Sequence, residues 1–324
     1  MKNSKIITAL TISHLIIHGS LLGQETVKTT RRTPYKGSYT LNGQIHVNTY
    51  GNRENKPITK GFQDYKPSWS KTGNQLVFFR KLVDDPVIAK WKTAIHVINT
   101  SGKGLTKLTD GTHTDFNPTW VRNESGRVIW NRKRPGHNSY FVMTTKTTNK
   151  PGEERTLTDP VFHTWAYTCL KDGRYLVGTT RPKLGGRGYF LMTDMGEKGK
   201  HKFEKIECEY MDKDGILDRI SFSPSETKIC FEYQKGLNYK FPGRTLYLAD
   251  FDVKSRTMTN IKAFANAEGK DRWFAYPRFT KDEKAIVFHA SPNLYMYYIS
   301  NGKIMKVSTG QGDYRYPHCQ DAPK

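Results

Sequence analysis

What this sequence lacks narrows it quickly. After the first 23 residues no apolar run approaches the length that a membrane-spanning helix needs. Nowhere do apolar residues recur with the 3.6-residue period of an amphipathic helix, which excludes helical bundles and helical solenoids. Four cysteines, Cys169, Cys208, Cys230 and Cys319, lie scattered without zinc-like spacing, each in a strand-like segment where a thiol packs as a small hydrophobe. Gly-x-Ser-x-Gly, His-Glu-x-x-His and phosphate-loop patterns are absent. Gly185-Gly186-Arg187-Gly188 lacks the strand-to-helix setting of a nucleotide loop and reads as a hairpin loop. Acidic residues are scarce, with 30 Asp and Glu against 52 Lys and Arg.

The resulting charge of +22 draws polyanions: acidic or sulfated glycans, lipopolysaccharide, nucleic acid or an acidic protein. A plain solvated basic surface is the competing reading. Residues 1–23 read as a secretory signal, with Lys2 and Lys5 ahead of an apolar stretch that His14 and His18 interrupt. An uncleaved anchor is the alternative, and no cysteine near the boundary supports lipid attachment. Removing the signal leaves +20 and no membrane span, which predicts a periplasmic or secreted protein. Export argues against nucleic acid as a partner despite basic loops at Arg132-Lys133-Arg134 and at 198–205. Aromatic residues make up 12% of the chain, enough to build a core on Trp, Tyr and Phe and to argue against disorder.

What is present is a repeat. Asp64-Tyr65-Lys66-Pro67-Ser68-Trp69-Ser70-Lys71-Thr72-Gly73 precedes strands at 75–79 and 94–98 and a closing Leu105-Thr106-Lys107-Leu108-Thr109. Asp115-Phe116-Asn117-Pro118-Thr119-Trp120 opens a second copy that closes at Leu157-Thr158. Looser copies begin at His163, Asp218 and about residue 271, and Asp313-Tyr314-Arg315-Tyr316-Pro317-His318-Cys319 begins a sixth. The spacing is roughly 50 residues, and each unit holds four short runs of period two with polar turns, the pattern of a propeller blade. Gly73 and Gly173 sit where tight hairpins need positive φ. The aromatic at the Trp69 and Trp120 position is expected to pack between neighbouring blades.

The sixth copy stops after one strand. Its missing strands lie at the other end of the chain, at 37–41, 44–50 and 57–59. Pairing them closes the ring and removes the exposed edges. The fold class is therefore all-β: a six-bladed propeller over 37–324 whose last blade joins N- and C-terminal strands, after a flexible lead-in at 24–36.

The segments from Asp64 to Leu108 and from Asp115 to Leu157 resemble the TolB-like (PD40) repeat, Asp-x-x-Pro-x-Trp-Ser-Pro-Asp-Gly followed by Gly-x-x-x-x-Leu-Thr. The resemblance covers about 62–324. It implies the propeller and leaves function open, because the repeat serves scaffolds, peptidase domains and lyases alike. TolB itself has an extra N-terminal α/β domain, for which the residues before the first strand leave no room. Oligogalacturonate lyase has a His-Pro-His metal strand. The segment Trp273-Phe274-Ala275-Tyr276-Pro277-Arg278-Phe279 resembles that strand without its histidine ligands, and only His318 follows a proline in the sixth copy.

Inner-strand starts of a propeller converge on one channel mouth. Asp64, Asp115, His163, Asp218, Asp271 and Asp313 recur there, with Arg219, Arg272 and Arg315 interleaved. They are the candidate ligand-binding residues. The aspartates could hold a channel cation such as calcium or could bond local amides and organise turns. No other cofactor is implied. Lys66 and Arg278, with Tyr65, Trp165, Trp273, Tyr314 and Tyr316, offer an aromatic-cationic mouth for sugars and acidic groups; packing between blades is the competing use. His163 and His318 begin the third and sixth copies and are the only catalytic candidates. The leading expectation is a non-enzymatic propeller binding an envelope protein or an anionic polysaccharide at the channel mouth. The alternative is a lyase acting on an acidic polysaccharide.

Overall fold

A computed structural model describes residues 33–54, 56–60, 63–83, 91–137, 139–184, 187–196, 200–208, 215–235, 244–266 and 274–320. The signal expected at 1–23, most of the lead-in, and Asp271, Arg272 and Trp273 lie outside these residues.

Two strands, β1 (Lys36–Leu41) and β2 (Gln44–Thr49), come first. The first full blade is β3 (Gln63–Trp69), β4 (Gln75–Lys81), β5 (Thr93–Asn99) and β6 (Thr106–Lys107). The second is β7 (Asp115–Trp120), β8 (Arg127–Lys133), β9 (Tyr140–Lys146) and β10 (Arg155–Thr156). The third is β11 (Thr164–Cys169), β12 (Tyr175–Thr179), β13 (Gly188–Asp194) and β14 (His201–Lys205). In the fourth, β15 (Gly215–Phe222) and β16 (Lys228–Lys235) precede β17 (Thr245–Asp252) and β18 (Thr257–Asn266). The fifth is β19 (Phe274–Phe279), β20 (Ala285–Ala290), β21 (Asn293–Tyr298) and β22 (Ile304–Lys306). The last strand, β23 (Tyr314–Cys319), pairs with β1 in the order β2-β1-β23, so the two ends of the chain share one sheet and close a six-bladed ring.

The closing blade differs from expectation at its rim. Instead of a strand at 57–59 there is one bridge, His46 to Pro57, because proline lacks the N–H that a ladder requires. The lead-in also ends early. Thr33 N–H bonds Tyr50 O, Tyr50 N–H bonds Tyr35 O, and Lys36 already belongs to β1. Gly37 is required here, since a Cβ at that position would lie 2.4 Å from the Tyr50 ring.

The core lies between blades rather than inside any one. Period two survives in β4, but both faces are apolar. Val77 and Phe79 pack with Phe116, Val128 and Trp130 of the second blade, whereas Leu76 and Phe78 pack with Ile45 of the closing blade. A strand covered on both sides reads as a continuous hydrophobic run. Each such side chain contributes about 1.5–3 kcal/mol on burial. The aromatic position lies between blades as expected. Trp69 Nε1 donates to His318 O at 3.2 Å and Trp120 Nε1 to Ser68 O at 3.0 Å, each crossing to the preceding blade.

The closing Leu-Thr of the repeat has a local cause. Leu108 and Leu157 are buried while their N–H groups bond Ile95 O and Val142 O. The next residues, Thr109 and Thr158, accept the Ile95 and Val142 N–H groups on their hydroxyls at 3.0 and 2.9 Å. Ser308 does the same for Leu294, and Thr59 for Ile45. The pair therefore seals the start of the third strand where the short outer strand runs out. All four cysteines are free; Cys208 lies past the end of β14 rather than in a strand. The basic cluster at Arg132 is not a loop, since Arg132 is a buried residue of β8.

Candidate functional site

Every inner strand carries a register shift midway, at Tyr65/Ser68, Phe116/Thr119, Ala166/Thr168, Asp218/Ser221, Ala275/Arg278 and opposite Ser38/Thr40. In five of them the bulged residue has left-handed backbone: Lys66, Asn117, Arg219, Tyr276 and Tyr316 lie at φ 49–56°. Non-glycine residues rarely adopt that region, and such outliers persist only where the surrounding ladder holds them. Proline follows the bulge at 67, 118, 277 and 317, where the ladder is already interrupted and a missing N–H costs little. Pairing then resumes at Ser68, Thr119, Thr168, Ser221, Arg278 and His318.

These bulges line a central channel with two chambers. The narrow one, about 220 Å³, is walled by the bulged residues, including Lys66, Arg219, Tyr276 and Tyr316. The wide one, about 570 Å³, opens where the inner strands end, between the turns bearing Lys71, Arg122, Lys171 and Lys281. The six residues at which pairing resumes line both chambers and form the collar between them.

Opposite charges meet in the narrow chamber. Lys66 Nζ bonds the Asn117 side chain and lies 4.5 Å from the Tyr276 ring centre and 5.3 Å from that of Tyr316. Burial, reinforced by Arg219, holds its ammonium well below the usual lysine range. Arg219 stacks over Tyr276 at 4.7 Å and bonds Asp218 at 2.5 Å and Glu232 at 2.8 Å; Arg244 shares Glu232 at 2.8 Å. Burial raises the Glu232 carboxyl despite these cations. The wide chamber has no such balance: among the described residues five cationic side chains line it, Arg278 with the four on the turns, and no carboxylate does. Glu226, just behind, bonds Arg122 at 3.2 Å.

Of the residues singled out from sequence, Asp218, Arg219 and His318 come together on this channel, with Lys66, Arg278, Trp165 and Tyr316. Asp64, Asp115, His163, Asp313 and Arg315 line neither chamber. Asp64 bonds Arg80 at 2.7 and 3.0 Å, and Asp115 bonds Arg132 at 2.7 and 2.9 Å, as buried two-pronged clamps inside their own blades. Asp313 pairs with Arg315 at 2.7 Å near the surface. Among the described aspartates only Asp218 reaches the channel, so they do not converge as a cation ring. Among the described residues no group of three His, Cys, Asp or Glu is arranged to hold a metal.

The two histidines are held differently. His163 Nδ1 accepts the Tyr140 N–H at 3.2 Å, and burial lowers its pKa. His318 Nδ1 lies 3.0 Å from Cys319 O and so carries the proton. Burial, with Arg278 adding to it, brings His318 down to about 3.

Sequence reasoning found Arg278 but missed the four turn cations of the wide chamber. Their signal was present, because Lys71, Arg122, Lys171 and Lys281 all occupy the proline slot of the repeat's Ser-Pro-Asp-Gly turn. A substitution repeated around a ring marks one rim.

The inner-strand bulges, inter-blade core and closed ring define a TolB-like six-bladed propeller. Among solved structures the chain is similar to TolB from Acinetobacter baumannii (TM-score 0.62, 13% identity, 88% of this chain and 66% of that one). It is likewise similar to the hydrazine synthase of Kuenenia stuttgartiensis (0.65, 13%, 90% and 48%) and to an oligogalacturonate lyase from Vibrio parahaemolyticus (0.51, 10%, 78% and 70%). This chain thus spans less than two thirds of the length of the first two. No known family profile and no curated protein matches the sequence. At such identities the likeness is one of fold. Among the described residues no helix is long and apolar enough to cross a membrane.

Proposed function

We propose that this is an exported, non-enzymatic propeller, periplasmic or secreted, that binds an anionic partner through its channel. One observation carries the reading: a chamber of about 570 Å³ lined, among the described residues, by five cationic side chains and no carboxylate. Its size falls in the range of ligand sites, about 300–1,000 Å³. Low-dielectric walls focus the field of the rim on an approaching anion. An anionic polysaccharide or an acidic segment of an envelope protein fits that field, and the binding end is the one where inner strands finish. The alternative, a lyase, would need a base. An imidazole that titrates at about 3 is a weak one, which counts against His318 in that role.

Calorimetric titration of the purified chain with dextran sulfate, polygalacturonate and polyglutamate tests the reading. Lys71→Gln with Lys281→Gln should weaken binding about tenfold, equivalent to ~1.4 kcal/mol. The same change at the exposed Lys254 and Lys303 should leave it nearly unaltered. Equal losses from both pairs would show non-specific attraction to a basic surface and defeat the proposal.

A further inference from the structure

The collar between the chambers has a composition of its own. Each blade supplies one side chain at one register position, giving four hydroxyls (Ser68, Thr119, Thr168, Ser221), one guanidinium (Arg278) and one imidazole (His318). Arg278 has no carboxylate partner among the described residues. Its Nη1 donates to Pro277 O at 2.9 Å and Arg219 O at 3.3 Å, which fixes the plane of the group. Nε and Nη2 have no partner there and are not sealed from the channel. The Thr168 hydroxyl has none among the described residues either, and Ser68 and Thr119 have only each other at a long 3.5 Å. Ser221 is committed to Phe222 O at 3.4 Å, so the unmet donors facing the passage, open at the cationic end, are those of Arg278, Thr168 and the Ser68–Thr119 pair.

We propose that this collar binds the singly charged tetrahedral oxyanion of a sulfated saccharide entering through the wide chamber. The inference rests on the anionic-ligand reading and names its chemistry. Charge comes first. A phosphate monoester carries about −1.5 to −2 near neutral pH and calls for several cations in contact, whereas a sulfate ester carries a single charge. The collar places one guanidinium among neutral hydroxyls, matching a monoanion. Shape comes second. A planar carboxylate would be satisfied by the free Nε–Nη2 edge of Arg278 alone, the fork by which Arg80 holds Asp64, and would leave the collar hydroxyls without a role. Three terminal oxygens on a tetrahedral centre meet donors arriving from several sides, as a ring of strands delivers them. His318, neutral and with Nδ1 engaged, leaves Nε2 as an acceptor for a sugar hydroxyl beside the sulfate. The wide chamber leaves room for the ring.

The full chain is titrated by calorimetry with galactose 6-sulfate, galacturonate, inorganic sulfate and a phosphoserine peptide. Galactose 6-sulfate should bind at least tenfold more tightly than each of the others. Arg278→Gln should bring that preference close to one, and Thr168→Val should cut it about threefold. The rim pair Lys71→Gln and Lys281→Gln should weaken all four probes alike and keep the preference. Parity between galacturonate and galactose 6-sulfate would overturn the collar, as would tighter binding of the phosphopeptide. Equal binding of inorganic sulfate would refute the saccharide as source. An unchanged preference in Thr168→Val sinks the proposal even if Arg278→Gln fails to fold. If polyanions bind and the collar variants change nothing, only this inference falls; if no polyanion binds, the broader reading falls with it.

Discussion

Blades two and four use the same strand position in opposite ways. In the second blade Asp115 faces Arg132 across β7 and β8, sealed from water and joined by Glu154 at 3.0 Å. In the fourth, Asp218 faces Glu232 across β15 and β16. With a carboxylate in the arginine's place, the cation must come from elsewhere, and Arg219 at the bulge and Arg244 just before β17 supply it. Bringing charge in at the bulge sets it on the channel wall. The slot that locks one blade equips another, and the partner strand decides which.

The largest expected effect breaks the clamp. Arg132→Leu leaves Asp115 and Glu154 buried without their cation and should cost about 3–5 kcal/mol, read from the shift in urea midpoint. A loss below ~1 kcal/mol would mean that the clamp holds no more than an open network does. Next comes acid. His96, beside the equivalent Asp64–Arg80 clamp, is held by burial at about 4, against about 6.5 in an unfolded chain. Below pH 6.5 the unfolded state therefore binds the extra proton. The contribution of His96 to stability should be level above that pH and fall by about 2 kcal/mol from pH 6.5 to 5, on top of the losses from the other buried histidines. Thermal melts of His96→Gln should show a shallower fall than the parent across that window; parallel curves would remove His96 from the account. The smallest effect belongs to blade four. Asp218→Asn, whose carboxylate is 27% exposed and whose arginine keeps Glu232, should change stability by ~1 kcal/mol or less while altering ligand affinity. A large loss of stability there would erase the contrast between the blades.

The ring itself was legible because its signals are local. Leu108-Thr109 and Leu157-Thr158 recur where a third strand must be sealed, and Gly73 and Gly173 turn hairpins at φ +72° and +92°. The split sixth blade was legible because its missing strands had only one place to come from. The direction of the aspartates was not. Whether Asp64 meets Arg80 or Asp218 meets Glu232 depends on cross-strand register, and register depends on a bulge that sequence does not announce. The same blindness hid the collar, whose members look unalike as Ser68, Arg278 and His318 until six strands are superposed about an axis.

The closing sheet sets an order of events. Tyr50 bonds the carbonyl of His318, 268 residues onward. During synthesis β1 therefore waits as a bare edge until β23 emerges, after five blades have had time to form. Contacts of such long range are slow to establish, and an unpaired strand meanwhile invites the wrong neighbour. Truncation before Tyr314 should thus yield aggregated chains rather than a smaller, five-bladed molecule.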